Sequence, residues 1–157
     1  MTFPIETEAT IKRRILDVCQ SQARTIVDIV RELALMVDSV AEKKAKAAKA
    51  HYEGMLKLAA DNDKLKGTLL VEVASVGTLL ISRDDFLRLM FRIGAIADYA
   101  EALGFRLMGA ADRNWKLDKK YMQRLSEIIS LVLTEVTRMR ETLHSLSFDS
   151  DLSLIHI

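Results

Sequence analysis

The sequence of 157 residues has few residues that would interrupt a helix. It contains six glycines and one proline, and Pro4 stands near the N-terminus. Chains built of many short strands rely on glycine and proline for their turns, so this composition argues against such a fold. The scarcity of both residues predicts long helices.

Cysteine and long apolar runs are equally scarce. The lone Cys19 excludes an internal disulfide and a cysteine-based zinc knuckle, and we interpret it as a small packed side chain in a reducing compartment. No apolar run approaches the ~18 residues that span a bilayer. The N-terminus lacks the basic and then apolar pattern of a signal peptide. The sequence therefore predicts a cytoplasmic protein without a transmembrane segment.

An excess of one charge and an abundance of aromatic side chains are also missing. Twenty-three basic and 22 acidic residues give a net charge of +1, and only 6% of the residues are aromatic. A binding platform for nucleic acid needs a basic field interleaved with aromatic rings, so we exclude nucleic acid as a partner. Five lysines against two glutamates between Ala41 and Lys57 form a local basic patch. This patch is typical of a solvated helix face, and it also suits an anionic membrane surface or an acidic partner.

The residues that are present show helical periodicity. Half of them are apolar, and these recur every three or four positions along residues 7–40, 41–79, 83–112 and from 118 onward. Four long helices with short connections pack as antiparallel neighbours. We therefore predict an all-α fold, an antiparallel bundle of four long helices, with residues 1–151 as a single domain.

Local signals predict where these helices begin and end. A tight reversal is expected between Val40 and Lys44. Ser82 and Asp118 have the side chains that cap helix N-termini, so they should open the third and fourth helices. Trp115 is expected as a packed plug between helix ends. Residues 147–151 are expected to form a loop.

The chain ends in a short apolar tail at residues 152–157. This tail resembles translated sequencing adapter. We interpret it as non-native, and we expect the natural protein to continue beyond Asp151. The predicted domain is then incomplete at its C-terminus.

Two stretches of the chain resemble a known family. Residues 83–101, which include the distinctive segment Ile96-Ala-Asp-Tyr-Ala-Glu101, resemble the third helix of the PhoU-like phosphate-transport regulators. Residues 51–66 resemble the second helix of that family. The resemblance is to its shorter branch, whose members accompany Pit-type phosphate permeases. It implies one three-helix repeat followed by the first helix of a second repeat, in a C-terminally truncated chain.

The resemblance also implies a metal site. The family motif is an acidic residue, any three residues, and an aspartate, once on the second and once on the third helix of each repeat. Residues four apart share a helix face, so each motif offers two carboxylates to a divalent metal or an iron cluster. Asp63 and Asp98 occupy the aspartate positions.

This sequence departs from the motif at both partner positions. Ala59 and Gly94 stand where the family has acidic residues. The departure removes ligands and charge, which lowers the expected metal affinity. Asp61 and Glu101 are the acidic residues nearby that could substitute. A structural role for the aspartates, solvated or paired with lysines such as Lys64 or Lys66, is the simpler interpretation.

The expected function is that of a regulatory or adaptor protein of inorganic phosphate transport, not an enzyme. It would dock by its helix surfaces on a phosphate permease or a phosphate-signalling protein. One alternative is a ferritin-like metal-dependent oxidoreductase, because Glu141 and His144 have the Glu-x-x-His spacing of di-iron bundles. Such a site needs two of these motifs, and the sequence has one. Another alternative is a plain oligomerising bundle, a homo-oligomer that pairs its apolar stripes.

Overall fold

The described part of the protein is a bundle of four helices. A computed structural model describes residues 8–76 and 83–152. Helix α1 spans Glu8–Ala41, α2 spans Ala45–Val76, α3 spans Arg83–Asp112 and α4 spans Lys119–Leu152. The described ranges contain no strand. The predicted all-α antiparallel bundle is confirmed.

The reversal between α1 and α2 is a tight C-capping turn. Lys43 has a φ of 60°, and its amide donates to the Val40 carbonyl oxygen at 3.1 Å. The amide of Lys44 donates to the Ser39 carbonyl oxygen at 2.8 Å. This hydrogen-bond pair satisfies the last carbonyls of the helix and stops it. The reversal lies within residues 40–44, as the sequence predicts.

The connection from α3 to α4 begins with the same kind of C-capping turn. Asn114 has a φ of 52°, and the amide of Trp115 donates to the Ala110 carbonyl oxygen at 3.0 Å. Asp118 then caps α4, because its carboxylate accepts from the amides of Lys120 at 2.7 Å and Tyr121 at 3.2 Å. Asp118 as the start of the fourth helix is confirmed. Ser82 lies outside the described residues.

Two local predictions are wrong. Residues 147–151 are not a loop, because α4 continues to Leu152. Serine and aspartate cost a helix only a few tenths of a kcal/mol each, and this stretch has no glycine or proline to stop it. Trp115 is not a packed plug, since 64% of it is exposed. Its ring borders an open cleft at the end of the bundle, with the Arg113 guanidinium 5.8 Å from the ring centroid.

Helix α1 forms the centre of the bundle. It packs against α2, α3 and α4, and its apolar stripe is buried on all sides. Cys19 belongs to this stripe, and burial raises the pKa of its thiol to about 11. A thiol with this pKa is protonated at neutral pH and unreactive, which is the predicted packed role.

Helix α4 packs against α1 alone over most of its length. Its fully buried residues recur every seven positions, which is the spacing of a narrow coiled-coil seam. They are Met122, Ile129, Val136 and Leu143. Within the described ranges α4 makes no comparable contact with α2 or α3. The sides of α4 therefore stay open.

Small residues bring α3 close to its neighbours. Gly94, Ala97, Ala100 and Gly104 are all buried on one side of this helix. A Cβ atom at Gly104 would collide with the Met55 methyl group and lie 3.1 Å from the Tyr52 ring. The α2–α3 contact therefore depends on the absence of a side chain at this glycine. None of the described helices is long and apolar enough to cross a membrane.

Candidate functional site

A polar layer divides the core that α1, α2 and α3 form. One apolar cluster lies on the side of the layer toward the turn between α1 and α2, and a second lies on the side toward Ile11 and Val73. Between them Gln22 of α1 and Asn62 of α2 are each 1% exposed. The Gln22 amide group donates to the Met90 carbonyl oxygen of α3 at 3.2 Å.

The described residues leave several polar atoms of this layer without a hydrogen-bond partner. Gln22 Oε1 and both polar atoms of the Asn62 side chain have no hydrogen-bond partner in the described part of the chain. An unsatisfied buried polar group costs about 1–3 kcal/mol, so the layer lowers stability relative to an apolar one. Buried polar side chains at single core positions fix the register of packed helices. The layer therefore favours one alignment of α1, α2 and α3.

Lys66 leads from this layer to the surface. Its side chain is 18% exposed and crosses α3 at Gly94, where a Cβ atom would collide with the lysine stem. The ammonium Nζ lies 3.0 Å from Asp63 Oδ1 on α2 and 3.5 Å from Asp98 Oδ1 on α3. Both aspartate side chains are about two-thirds exposed, at 70% and 68%. One ammonium thus joins two carboxylates from different helices on one exposed face.

The charge of this lysine follows from its surroundings. Burial lowers the pKa of Lys66, but the hydrogen bond to Asp63 and the negative charge of Asp98 raise it, and the net result is a raised pKa. The ammonium is therefore charged throughout the physiological range. It neutralises one of the two carboxylates, so the cluster keeps a net charge of about −1.

The structure brings together two of the four predicted metal ligands. Asp63 and Asp98 meet at Lys66, and both side chains are exposed. Asp61 pairs with Lys64 at 2.7 Å. Glu101 is half-buried, and the pKa of Tyr52 is raised by burial and by the charge of Glu101. Among the described residues, neither of these two acids lies within 4 Å of the Lys66 ammonium.

The residues present fit a metal ion poorly. A hard divalent cation needs about six to eight oxygen ligands, and this face offers the carboxylates of Asp63 and Asp98 with an ammonium between them. Ala59 is 8% exposed in the core, so the partner position on α2 faces inward. Over the described ranges, no three His, Cys, Asp or Glu side chains gather as a metal site.

The Glu-x-x-His pair lies on a different surface. Glu141 and His144 are both exposed on α4, away from its buried seam. A di-iron centre needs these side chains in the interior of the bundle among further carboxylates. The described residues do not provide that arrangement, so the ferritin-like alternative has no geometric support.

Exposed aromatic rings flank Asp98. Phe91 and Phe105 lie seven residues before and after it on the same face of α3, and they are 53% and 69% exposed. The neighbouring Tyr99 is 78% exposed. Aromatic side chains around a charged group are typical of protein-binding surfaces. We call Asp63, Lys66, Asp98 and the two phenylalanines the acidic face.

The polar layer itself was not predicted from the sequence. The apolar spacing of α1 is interrupted at Gln22, and that of α2 is interrupted at Asn62. These two interruptions are the signal that could have found it. A single polar residue on the apolar side of an amphipathic helix is common. The two interruptions therefore indicate a polar layer only once the structure shows Gln22 and Asn62 at the same level of the core.

An apolar groove lies between α3 and α4. It has a volume of about 410 Å³ and is lined by Ile96, Ile128, Leu131, Val132, Glu135, Val136 and Met139. Ile128 and Leu131 are 55% and 67% exposed. Large exposed apolar patches mark interaction surfaces, so this groove is a second candidate site.

Comparison of the chain with protein-family models, curated proteins and solved structures finds no match. The resemblance of residues 51–66 and 83–101 to PhoU-like regulators therefore stays a prediction.

Proposed function

We propose that the protein is a non-catalytic regulatory or adaptor protein of inorganic phosphate transport. It docks through the acidic face on a phosphate permease or a phosphate-signalling protein at the cytoplasmic side of the membrane. One observation carries the proposal. Asp63 and Asp98, 35 positions apart in the chain and marked by the PhoU-like resemblance, meet at one ammonium on one exposed face.

The acidic face suits a partner with an arginine or lysine between apolar side chains. Its residual negative charge attracts a cation, and the rings of Phe91 and Phe105 offer apolar contact on either side of Asp98. Charges at the rim of an interface raise the association rate and select the partner. The bundle supplies the rigid support that a docking surface needs, because α2 and α3 both pack on α1.

A binding measurement with a purified phosphate permease tests this proposal. The full chain is titrated onto the detergent-solubilised permease of its own organism. We expect specific binding, and we expect the double variant Asp63→Asn and Asp98→Asn to bind about tenfold more weakly, since truncated charge pairs at interfaces cost more than 1 kcal/mol.

The matched control removes the same charge elsewhere. Glu127→Gln and Glu141→Gln change two exposed carboxylates on α4 and leave the acidic face intact. This control should bind like the unchanged protein. Equal affinity of the two double variants, or no binding of the unchanged chain to permease or phosphate-signalling proteins, would contradict the proposal.

A second candidate function is that of a plain oligomerising bundle. The groove between α3 and α4 favours it, because its lining is apolar apart from Glu135. A second copy of the chain is the occupant that would cover Ile128 and Leu131.

A further inference from the structure

The two chain reversals in the described ranges lie at the same end of the bundle. The α1–α2 turn and the α3–α4 connection border one cleft of about 1360 Å³. The Ser126 hydroxyl of α4 donates to Asp38 of α1 at 2.9 Å beside this cleft. We call residues 38–50 and 111–121 together the turn end. The turn end therefore combines two segments that are about 70 positions apart in the sequence.

The turn end is basic. It carries eight basic and four acidic side chains, a local net charge of +4 in a chain whose net charge is +1. The α1–α2 side contributes Lys43, Lys44, Lys46 and Lys49, and the α3–α4 side contributes Arg113, Lys116, Lys119 and Lys120. All eight are exposed.

Few of these charges are compensated within the protein. Lys44 pairs with Glu42 at 2.6 Å, and Arg113 lies over the ring of Trp115. The other six lysines form no ion pair within the described ranges. Asp118 uses its carboxylate to cap α4. The lysines of both segments are thus available to an external anionic surface.

Exposed amphipathic rings lie among these lysines. Trp115 is 64% exposed, and Tyr121 is 62% exposed two residues after Lys119. Tryptophan and tyrosine prefer the interface between lipid headgroups and hydrocarbon, because one part of the ring is apolar and the other can hydrogen-bond. Lysine adds attraction to anionic headgroups.

We propose that the turn end docks on the surface of an anionic lipid bilayer, with the lysines at the headgroups and Trp115 inserted among them. The combination of dispersed lysines with an exposed tryptophan favours lipid over an acidic protein. An acidic protein would need a surface of complementary shape that orders many flexible lysine side chains, and this ordering costs conformational entropy. The inference is independent of the proposed function, because it needs no permease.

Tryptophan fluorescence tests this directly. Trp115 is the one tryptophan of the chain, so its emission reports on the turn end alone. The full chain is mixed with vesicles of phosphatidylcholine alone, or of phosphatidylcholine with about one-third phosphatidylglycerol, whose negative surface potential attracts lysines. We expect a blue shift and co-sedimentation with the anionic vesicles only, both weakened by added salt.

The triple variant Lys116→Gln, Lys119→Gln and Lys120→Gln tests the charge. Each lysine removed near a bilayer should lower the partition coefficient about fivefold, so the triple variant should lose about a hundredfold. The triple variant should stay folded, because lysines near the N-terminus of a helix interact unfavourably with the positive end of its dipole. Circular dichroism checks the helical content.

The matched control is Arg88→Gln, Arg92→Gln and Arg138→Gln. These residues lie about 25 Å or more from the turn end along the helix axes. The control should bind anionic vesicles as the unchanged protein does.

Any of three results with vesicles would overturn the inference. They are no blue shift with anionic vesicles, equal binding to vesicles of phosphatidylcholine alone, and equal losses in the two triple variants. A shift of the same size with polyglutamate at the same charge concentration would overturn it as well, and would assign the turn end to an acidic protein.

Discussion

Lys66 is the single side chain that most changes the interpretation of the acidic residues. The resemblance to PhoU-like proteins implies a metal between carboxylates of the second and third helices. In this chain an ammonium lies between Asp63 and Asp98 instead. Gly94, at a position where the family has an acid, leaves the space through which the lysine passes. A built-in cation therefore occupies the place that a metal ion would need.

Replacing this lysine should expose the two carboxylates to a metal. We expect Lys66→Met to bind Mn²⁺ about fivefold more tightly than the unchanged protein, because an adjacent like charge repels the ion by about 1 kcal/mol at a solvated surface. Methionine keeps the apolar stem, so the fold is retained. Isothermal titration calorimetry measures the affinities.

Lys64→Met is the control for this experiment. Lys64 pairs with Asp61, and within the described ranges it forms no ion pair with Asp63 or Asp98. If both methionine variants bind Mn²⁺ with equal affinity, the ammonium of Lys66 does not weaken metal binding by Asp63 and Asp98.

Glycines show how packing between helices decides the effect of a side chain. Gly67 of α2 has no atom within 4 Å of a Cβ position, whereas the Cβ position at Gly104 of α3 is filled by Met55 and Tyr52. Both lie inside helices, where alanine is favoured over glycine by about 0.5–1 kcal/mol. At Gly104 this gain is opposed by overpacking, which costs about 1–3 kcal/mol.

Alanine at the two positions should therefore have opposite effects on stability. We expect Gly67→Ala to raise the free energy of unfolding by about 0.5–1 kcal/mol. We expect Gly104→Ala to lower it by about 1 kcal/mol. Urea denaturation followed by circular dichroism measures both, each variant being the control for the other. Equal stabilisation by the two changes would show that α2 and α3 are not in close contact at Gly104.

The bundle is asymmetric. Helices α2, α3 and α4 all pack against α1, whereas within the described ranges α4 makes no comparable contact with α2 or α3. The seam of α4 is fully covered by α1, yet Ile128 and Leu131 beside it are more than half exposed. A contiguous exposed apolar patch marks a surface that binds another surface. This arrangement supports association of copies through the groove.

We expect the unchanged protein to have a solution mass above the 17.7 kDa of one chain. Ile128→Glu with Leu131→Glu should return it to the monomer, since charges in the groove oppose its burial. Light scattering after size exclusion gives the masses. Leu70→Glu with Val71→Glu on α2 makes the same change outside the groove and should leave the mass unaltered. A monomeric unchanged protein would contradict this prediction.

Local structure was largely predictable. The helices follow from apolar spacing, and the cap at Asp118 and the turns after Val40 and Asp112 follow from polar residues at helix ends, because these signals act over one or two turns. The prediction failed at residues 147–151, where polar residues without glycine or proline continue a helix. It failed again at Trp115, whose burial depends on what lies across the bundle end.

The sequence alone determined that the described part of this chain forms four long helices and where two of its turns lie, since these depend on neighbours within a few residues. Only the tertiary structure decided which polar residues meet. Asp63 and Asp98 meet at Lys66, Gln22 and Asn62 share one layer, and the two basic segments share the turn end. The reason is that such meetings depend on the alignment of whole helices, and a shift of α3 by one turn, about 5.4 Å, would take Asp98 out of reach of the Lys66 ammonium.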